Sequence, residues 1–265
     1  MKLTLLITSL AGVVITPRAV AQTDYRNLEQ GRPSAVEDAY PLERYGFELS
    51  GGYRHIGEGA DSRHLFEPEL MYGFARGAHF AVRMPLVVAA GSGGAPGGLA
   101  GIGGSLLVNL STERVTRPGL AVRLDASLPA GAAAGHGAGI SVAGLATRSF
   151  GSRRVHLNAL AALDTPDVPG AALSIPRWWV GAALDQTLIR SSTLLVAEGT
   201  VSSGGRGLPA RYSIAGGIRR QLAPTLVLDV GFGWEFQRHE HAATVLTLGI
   251  SHAFAVGFLM PVRGQ

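Results

Sequence analysis

The sequence predicts an all-β protein, an antiparallel transmembrane β-barrel of about twelve strands. From residue 43 onward, apolar and polar residues alternate with a period of two, which is the repeat of a β-strand. The alternating segments are about ten to twelve residues long. At ~3.3 Å per residue and a tilt near 45°, such strands cover an apolar band of about 25 Å, whereas soluble strands usually have about five or six residues.

The amino terminus is predicted to be a cleaved signal peptide covering residues 1–21. A positive start at Lys2 precedes a mainly apolar run over residues 3–15. Residues 19–21, Ala-Val-Ala, then fit the small-x-small cleavage pattern, with Gln22 as the first mature residue.

The mature chain is predicted to have three parts. Residues 22–42 form a periplasmic lead or an inward plug, residues 43–254 form the barrel, and residues 255–265 form a carboxyl-terminal tail. The lead carries Glu37 and Asp38, followed by Glu43 and Arg44. If it folds into the lumen, we expect these charges to pair with Arg83 or Arg123.

The strands are predicted in order along the chain, each from its own run of alternating residues. In the eleventh, Leu226, Leu228 and Val230 lie on one face while Asp229 and Gly231 lie on the other. The twelve segments are residues 43–54, 65–74, 78–88, 99–110, 118–128, 139–150, 154–163, 177–188, 192–201, 209–221, 225–236 and 243–254.

The connections predict the orientation of the barrel. The short ones follow even strands, at residues 75–77, 112–117, 151–153, 189–191 and 223–224. The long ones follow odd strands, at residues 55–64, 89–98, 129–138, 164–176, 202–208 and 237–242. Short periplasmic turns and longer outer loops are typical of barrels in the outer membrane of Gram-negative-type cells, with both termini in the periplasm.

The direction of the alternation follows from the charges. One face carries eight acids and four arginines at mid-strand, which a watery lumen tolerates, while the opposite apolar face suits lipid. The predicted pore-lining residues are Glu48, Glu67, Glu69, Arg83, Arg123, Asp125, Asp185, Arg219, Asp229 and Glu235, and Glu198 and Arg211 share their face. A soluble lipocalin-like barrel or sandwich explains the alternation, but not the strand length or the loop asymmetry.

Composition excludes several kinds of chemistry. The chain has no cysteine, which excludes disulfides and thiolate sites, and its one lysine, Lys2, lies in the signal peptide. Loss of Lys2 and Arg18 leaves 21 basic against 19 acidic side chains, without a basic cluster, so we expect no nucleic-acid partner. We also expect no cofactor, no metal site and no catalytic residue.

Several phrases resemble a known family. They are residues 28–33 (LEQGRP), 36–48 (VEDAYPLERYGFE), 66–70 (FEPEL), 145–151 (LATRSFG) and 222–229 (LAPTLVLD). The chain is similar in these to outer-membrane transporters described as MetA-pathway of phenol degradation proteins. The resemblance spans most of the mature chain and implies a barrel of roughly twelve strands that passes small, including aromatic, compounds.

Each candidate feature also has a structural interpretation. The lumen charges shape the field in a passage, or they pair across neighbouring strands and make the barrel rigid. Seven glycines on the same face give clearance for a passage, or mark close backbone approach: Gly52, Gly73, Gly103, Gly181, Gly217, Gly231 and Gly233.

Two further patterns raise other chemistry. Residues 239–241, His-Glu-His, offer metal ligands or form an exposed turn. His156 and Asn158 share a face, and with Ser141 or Ser149 nearby they would suit a barrel hydrolase.

The sequence therefore predicts a non-enzymatic outer-membrane channel or transporter for passive passage of small molecules, including aromatic or hydrophobic ones. Its expected partners are outer-membrane lipid, the barrel assembly machinery and the small-molecule solute. Two alternatives stay open: a structural or adhesion barrel that acts through its outer loops, and a barrel hydrolase.

Overall fold

The structure is a computed structural model that describes residues 23–59, 61–90, 97–135, 137–164, 176–204, 208–238, 242–256 and 259. The predicted signal peptide, the His-Glu-His pattern at residues 239–241 and most of the predicted tail lie outside these ranges. Over the described ranges, the structure contains no helix long and apolar enough to span a membrane.

The described residues form fourteen β-segments, and a short 3₁₀ turn at Ile189–Ser191 follows the tenth. They are β1 (Gly46–Glu58), β2 (Asp61–Ala75), β3 (Ala78–Arg83), β4 (Leu86–Ala90), β5 (Gly98–Leu99), β6 (Ile102–Ser111), β7 (Gly119–Leu128), β8 (Gly139–Phe150), β9 (Arg153–Asp164), β10 (Trp178–Leu188), β11 (Thr193–Ser202), β12 (Arg211–Ala223), β13 (Leu226–Gln237) and β14 (Ala243–Ala255).

These segments form a closed barrel of twelve antiparallel strands. Each strand pairs with its neighbours in the chain, and β1 closes the barrel by pairing with β14 from Gly46↔Ala255 to Glu58↔Ala243. Two of the twelve strands are interrupted: β3 and β4 are two pieces of one strand, and β5 and β6 are two pieces of the next. The first interruption falls at Met84 and Pro85, because proline has no N–H to donate to the sheet. The predicted segment 78–88 is therefore one strand in two pieces.

The apolar face of the barrel points outward. On β13, Leu228 and Val230 are 37% and 50% exposed, whereas Asp229 between them is 2% exposed. A soluble barrel would bury the apolar face and expose the charged one. The described strands do the opposite, which places the apolar band in lipid and the protein in the outer membrane.

One predicted long loop is absent. The sequence predicted a connection over residues 55–64, but β1 and β2 continue as paired strands from Gly57↔Ser62 to Glu58↔Asp61. Only residues 59 and 60 join them, and Gly59 takes the left-handed conformation (φ 59°) that such a turn requires. His55 lies directly opposite His64, with ring centroids 4.7 Å apart, and such cross-strand contacts stabilise the pairing beyond Arg54.

Residues 23–42, here called the lead, lie inside the barrel. The lead begins beside the short β12–β13 turn, where the Thr23 N–H donates to the Pro224 carbonyl oxygen at 3.0 Å. Its middle reaches the inner wall at Pro33, close to Gly217 and Gly231. It then returns to the same end of the barrel, where β1 begins.

Candidate functional site

Side chains of the barrel wall bind the backbone of the lead. The Glu198 carboxylate on β11 accepts hydrogen bonds from the N–H groups of Ala35 (2.9 Å) and Val36 (3.0 Å). The Asn158 amide on β9 accepts from the Glu37 N–H at 2.8 Å and donates to the Glu37 carbonyl at 3.0 Å. An extended segment without a strand partner thus has its backbone groups satisfied by the wall.

The same pattern continues toward the end of the lead. Thr147 accepts a hydrogen bond from the Ala39 N–H at 3.0 Å, and Asn109 donates to the Ala39 carbonyl at 2.7 Å. The His79 ring nitrogen accepts from the Leu42 N–H at 3.0 Å. Five strands of the barrel, from β3 to β11, therefore contribute side chains to one binding groove for the lead.

Ion pairs fix the acidic part of the lead. Glu37 pairs with Arg123 on β7, and the same guanidinium contacts Asp125 at 2.9 Å. Asp38 pairs with Arg154 on β9 at 3.2 Å. The sequence anticipated Arg123 as a partner of the lead, whereas Arg83 pairs with Glu69 on the neighbouring strand at 2.6 Å.

A second cluster lies at the tip of the lead, where Glu29 accepts from Arg32 at 2.7 Å and from Arg219 of β12 at 2.8 Å. Arg219 also faces Asp229 at 3.4 Å. Burial alone would raise the pKa of Glu29, but Arg219, the Glu48 side chain and Arg32 together lower it well below its usual value. Glu29 is therefore ionised in its buried position.

The two adjacent acids Glu37 and Asp38 behave differently from Glu29. Burial raises the pKa of Glu37 to about 7, although the Arg123 guanidinium opposes the shift. Burial also raises the pKa of Asp38, against the charges of Arg154 and His156. The lead therefore carries one carboxyl group that titrates near neutral pH.

Apolar contacts complete the attachment. Leu28 and Val36 of the lead are 3% and 0% exposed, and they pack against Ala183, Leu194 and Val196 of the inner wall. An apolar patch on the inner wall of a water-filled pore would be costly, so this patch indicates that the lead is its normal cover.

The inward glycines mostly make room for the lead. A Cβ added at Gly52 would lie 2.9 Å from the Arg32 side chain, and one at Gly217 would lie 2.5 Å from Pro33. Gly73, Gly181 and Gly231 face Glu43, Val36 and Pro33 in the same way. Gly103 is the exception among these seven glycines. A Cβ added there would lie no closer than 3.8 Å to Arg83, and Gly103 lines open space in the lumen.

A cavity of about 390 Å³ lies above the tip of the lead. It opens between residues of the long connections, including Pro129, Gly135 and Pro176, and Gln30, Arg32 and Ala35 of the lead form its floor. Its charged lining comes from three ion pairs: Arg54 with Glu67 and Arg83 with Glu69 each join adjacent strands, and Arg123 with Asp125 lies along β7.

A second, smaller cavity of about 50 Å³ lies on the other side of the same charges. Glu69, Arg83 and Arg123 line both cavities. The smaller one continues along the lead past His79 and Tyr40. The two cavities therefore meet at a constriction, here called the charged constriction, formed by Glu69, Arg83 and Arg123.

The predicted pore-lining residues divide into three sets. Glu67, Glu69, Arg83, Arg123 and Asp125 line the larger cavity, and Glu48 lines the smaller one. Asp185, Arg219 and Asp229 are buried in contact with Arg154, Glu29 or each other and line neither cavity. Glu235 pairs with Arg211 at 3.6 Å on the wall beyond them.

Sequence reasoning missed several members of the site. Arg154 was not counted among the lumen charges, although its alternation with Val155 and Leu157 places it on the inner face. Arg54 was missed in the same way. Glu29 and Arg32 gave no signal, because the lead has no periodicity from which the direction of a side chain follows.

The hydrolase interpretation lacks its predicted contact. His156 binds Thr147 at 3.0 Å and Asp185 at 2.9 Å, not a serine. Ser141 instead donates to Asp125 at 3.3 Å, and Ser149 donates to Glu113 at 2.7 Å. His156, Thr147 and Asp185 are all 0% exposed beneath the lead, so no substrate reaches them in this arrangement.

No three histidine, aspartate or glutamate side chains within the described ranges form a set that suits a metal ion.

Comparison with known proteins supports the fold. No protein-family model and no curated protein sequence matches the chain. An outer-membrane channel from Pseudomonas putida F1 is similar with a TM-score of 0.62 at 12% identity, over 86% of this chain and 100% of that one. The NanC porin gives 0.55 at 6% identity (78% and 98%), and the KdgM porin gives 0.51 at 11% (77% and 99%). The described residues therefore fold as an outer-membrane β-barrel.

Proposed function

We propose that the protein is an outer-membrane channel for passive passage of small solutes. The observation that carries the proposal is the pair of cavities that meet at the charged constriction. Together they follow one side of the lumen, along β2, β3, β6 and β7, from the long connections toward the short turns. Such a route needs no cofactor and no covalent step.

The charged constriction selects among solutes. Glu69 lies beside Arg83 there, and the neighbouring Asp125 lies beside Arg123, so a passing ion meets both signs within a few ångströms. A field of this kind orients polar solutes and gives only weak preference for anions or cations. Solutes must also be small, because the lead fills the rest of the lumen.

The lead acts as a plug that controls the width of the route. The wall holds the lead through side-chain hydrogen bonds, ion pairs and apolar contacts, and not through strand pairing. The lead is therefore a bound segment and not part of the sheet. Displacing it from Glu198, Asn158 and Thr147 would join the cavities into one wide passage. The barrel itself needs no rearrangement for this step, since its strands close on each other without the lead.

The cavity lining favours solutes with an apolar body and a polar group. Trp179, Leu160 and Pro176 line the larger cavity together with its charged pairs. The resemblance to the MetA-pathway family supports small aromatic solutes. One structure of the similar KdgM porin contains oligogalacturonate, which supports passage of polar solutes through barrels of this fold.

Planar-bilayer conductance of the refolded mature protein tests the proposal. We expect discrete conductance steps. In a salt gradient the reversal potential should show greater anion selectivity for Asp125→Asn and greater cation selectivity for Arg83→Gln, because the two changes remove opposite charges from the route. Glu235→Gln, at a pair away from both cavities, is the control. A barrel that shows heat-modifiable gel migration but no conductance steps would contradict a channel.

A second variant tests the plug. Glu198→Ala removes two hydrogen bonds to the lead backbone, each worth about 1.5–3 kcal/mol because the acceptor is charged. We expect a larger conductance, or more frequent wide openings, in this variant than in Glu235→Ala. Equal conductance in both would mean that the lead does not control the width of the route.

A further inference from the structure

The outer surface of the barrel at the short-turn end is divided into two sectors. One sector, on β14, β1, β2 and β3, is aromatic. Phe47 stacks on Tyr72 with ring centroids 4.4 Å apart and on Phe254 at 5.4 Å, and Tyr72 meets Phe80 edge-on at 5.6 Å. Aromatic side chains at the end of an apolar band are typical of the membrane interface.

The sector on β8 to β12 has more arginines, four against the two (Arg44 and Arg76) at the same end of the aromatic sector. Arg148 lies near the end of β8, Arg153 begins β9, Arg190 lies in the 3₁₀ turn after β10, and Arg220 lies near the end of β12. Because these strands are consecutive neighbours in the barrel, the four arginines form one continuous basic sector.

The arginines of the basic sector border the lipid-facing band. Arg220 follows the outward-facing Ile218 by two residues, and Arg190 lies next to Ile189, which is 74% exposed. Arg153 lies on the same face as Leu157, which is 55% exposed. Arg153, Arg190 and Arg220 are exposed themselves, so their guanidinium groups lie where the apolar band ends.

Acidic partners are sparse at this level. Within the described ranges, only Arg148 of the four has an acidic partner, Glu113 at 3.8 Å. Glu113 also accepts from Ser149 and Tyr40, while Arg148 donates to the carbonyl oxygens of the β6–β7 turn. Arg153 donates to the Gln186 side chain at 2.8 Å and has no acidic partner among the residues that the structure describes.

We propose that the basic sector binds the phosphate groups of anionic phospholipids in the periplasmic leaflet. Guanidinium groups bind phosphate bidentately, and arginines at the end of an apolar band lie at the level of lipid headgroups. The sector faces the lipid and not the lumen, so the ligand is a lipid and not a passing solute. The aromatic sector, where Arg44 precedes β1 and Arg76 lies in the β2–β3 turn, contacts the same leaflet mainly through its rings.

The test compares lipid selectivity in vesicles. The mature protein is refolded into phosphatidylcholine vesicles with and without phosphatidylglycerol, and the retained lipids are counted after extraction into detergent. The variant is Arg153→Gln with Arg190→Gln and Arg220→Gln; Arg148 stays because it holds the β6–β7 turn. The control removes the same number of exposed arginines near the long connections: Arg177→Gln, Arg211→Gln and Arg238→Gln.

We expect the wild type and the control to enrich phosphatidylglycerol over phosphatidylcholine. In the basic-sector variant, the enrichment ratio should fall by a factor of about five for each arginine removed. Heat-modifiable migration confirms that each variant is a folded barrel, and a single Arg220→Gln change serves if the triple variant does not fold. An unchanged preference in the basic-sector variant, or an equal loss in the control, would overturn the proposal. So would displacement of the lipid by inorganic phosphate, which would indicate a site for free phosphate.

Discussion

At the scale of single residues, Glu37 links the position of the lead to pH. It lies close to Arg123 and Asp125 of the wall and to Asp38 of the lead, and burial raises its pKa to about 7. A carboxyl group exposed to water has a pKa of about 4.3. The docked lead therefore binds a proton that the displaced lead releases at neutral pH.

This difference sets the sign of the pH dependence. Between about pH 4.5 and pH 7 the docked state holds more protons than the displaced state, so docking strengthens as the pH falls and weakens as it rises through about 7. The raised pKa of Asp38 acts in the same direction. Glu29, whose pKa is lowered, stays ionised in the docked state, and it opposes this trend only near the lower end of the range, where the displaced lead begins to protonate it.

We predict that the lead is displaced more often at pH 8 than at pH 5, by up to roughly a hundredfold from Glu37 alone. The chain has no cysteine, so Val36→Cys, at a position with 0% exposure, gives a single thiol that reacts with maleimide only when the lead is displaced. Its labelling rate is divided by that of Ser152→Cys, an exposed turn position, to remove the intrinsic pH dependence of the thiol.

The matched variant Glu37→Gln should abolish most of this pH dependence while Val36→Cys stays protected. Faster relative labelling at pH 5 than at pH 8 would show that the sign is wrong. A pH dependence that survives Glu37→Gln would assign it to Asp38 or to another group.

At the scale of elements, the strands were predictable because each shows its lipid face and its lumen face in the sequence. The eleventh predicted segment, residues 225–236, corresponds to β13 within one residue at each end. Errors arose where alternation alone does not fix the end of a strand. The polar composition of residues 55–64 predicts a loop where β1 and β2 continue, and the alternation over residues 78–88 predicts an unbroken strand although Pro85 cannot donate to the sheet.

The path of the lead was not predictable in this way. Its charges suggested a place in the lumen, but the partners depend on which wall positions lie opposite one another across the barrel. The inward glycines show the difficulty: a missing side chain leaves the same signal in the sequence whether water or another segment fills the space. Contact of Gly181 with Val36 is visible only in three dimensions.

We predict that Gly181→Ala weakens docking of the lead. A Cβ at this position would lie 2.7 Å from Val36 and from the Trp179 ring, and overpacking of this kind costs about 1–3 kcal/mol. Conductance of the refolded barrel should rise accordingly. Gly144→Ala is the control, because a Cβ there meets no atom within 4 Å. An unchanged conductance in Gly181→Ala with intact heat modifiability would mean that the contact does not hold the lead.

At the scale of the whole molecule, the lead stabilises the charged groups that the barrel places in its lumen. The strands bury arginines and acids in numbers that an empty lumen would hydrate, and the lead replaces that water with charges and backbone groups of its own. The lead enters and leaves at the short-turn end, so the two mouths of the lumen differ. The larger cavity opens at the long connections, while the lead occupies the opposite half.

This asymmetry predicts different access from the two sides of the outer membrane. Ser127 lines the larger cavity, whereas Ser152 is exposed in a short turn. In intact cells a small, membrane-impermeant methanethiosulfonate should modify Ser127→Cys and leave Ser152→Cys unmodified, since long connections face outward. Permeabilising the outer membrane should then expose Ser152→Cys. Val36→Cys, which is packed against the inner wall, should stay largely protected in intact and in permeabilised cells. Modification of Ser152→Cys but not Ser127→Cys in intact cells would reverse the orientation and place the larger cavity at the periplasmic mouth.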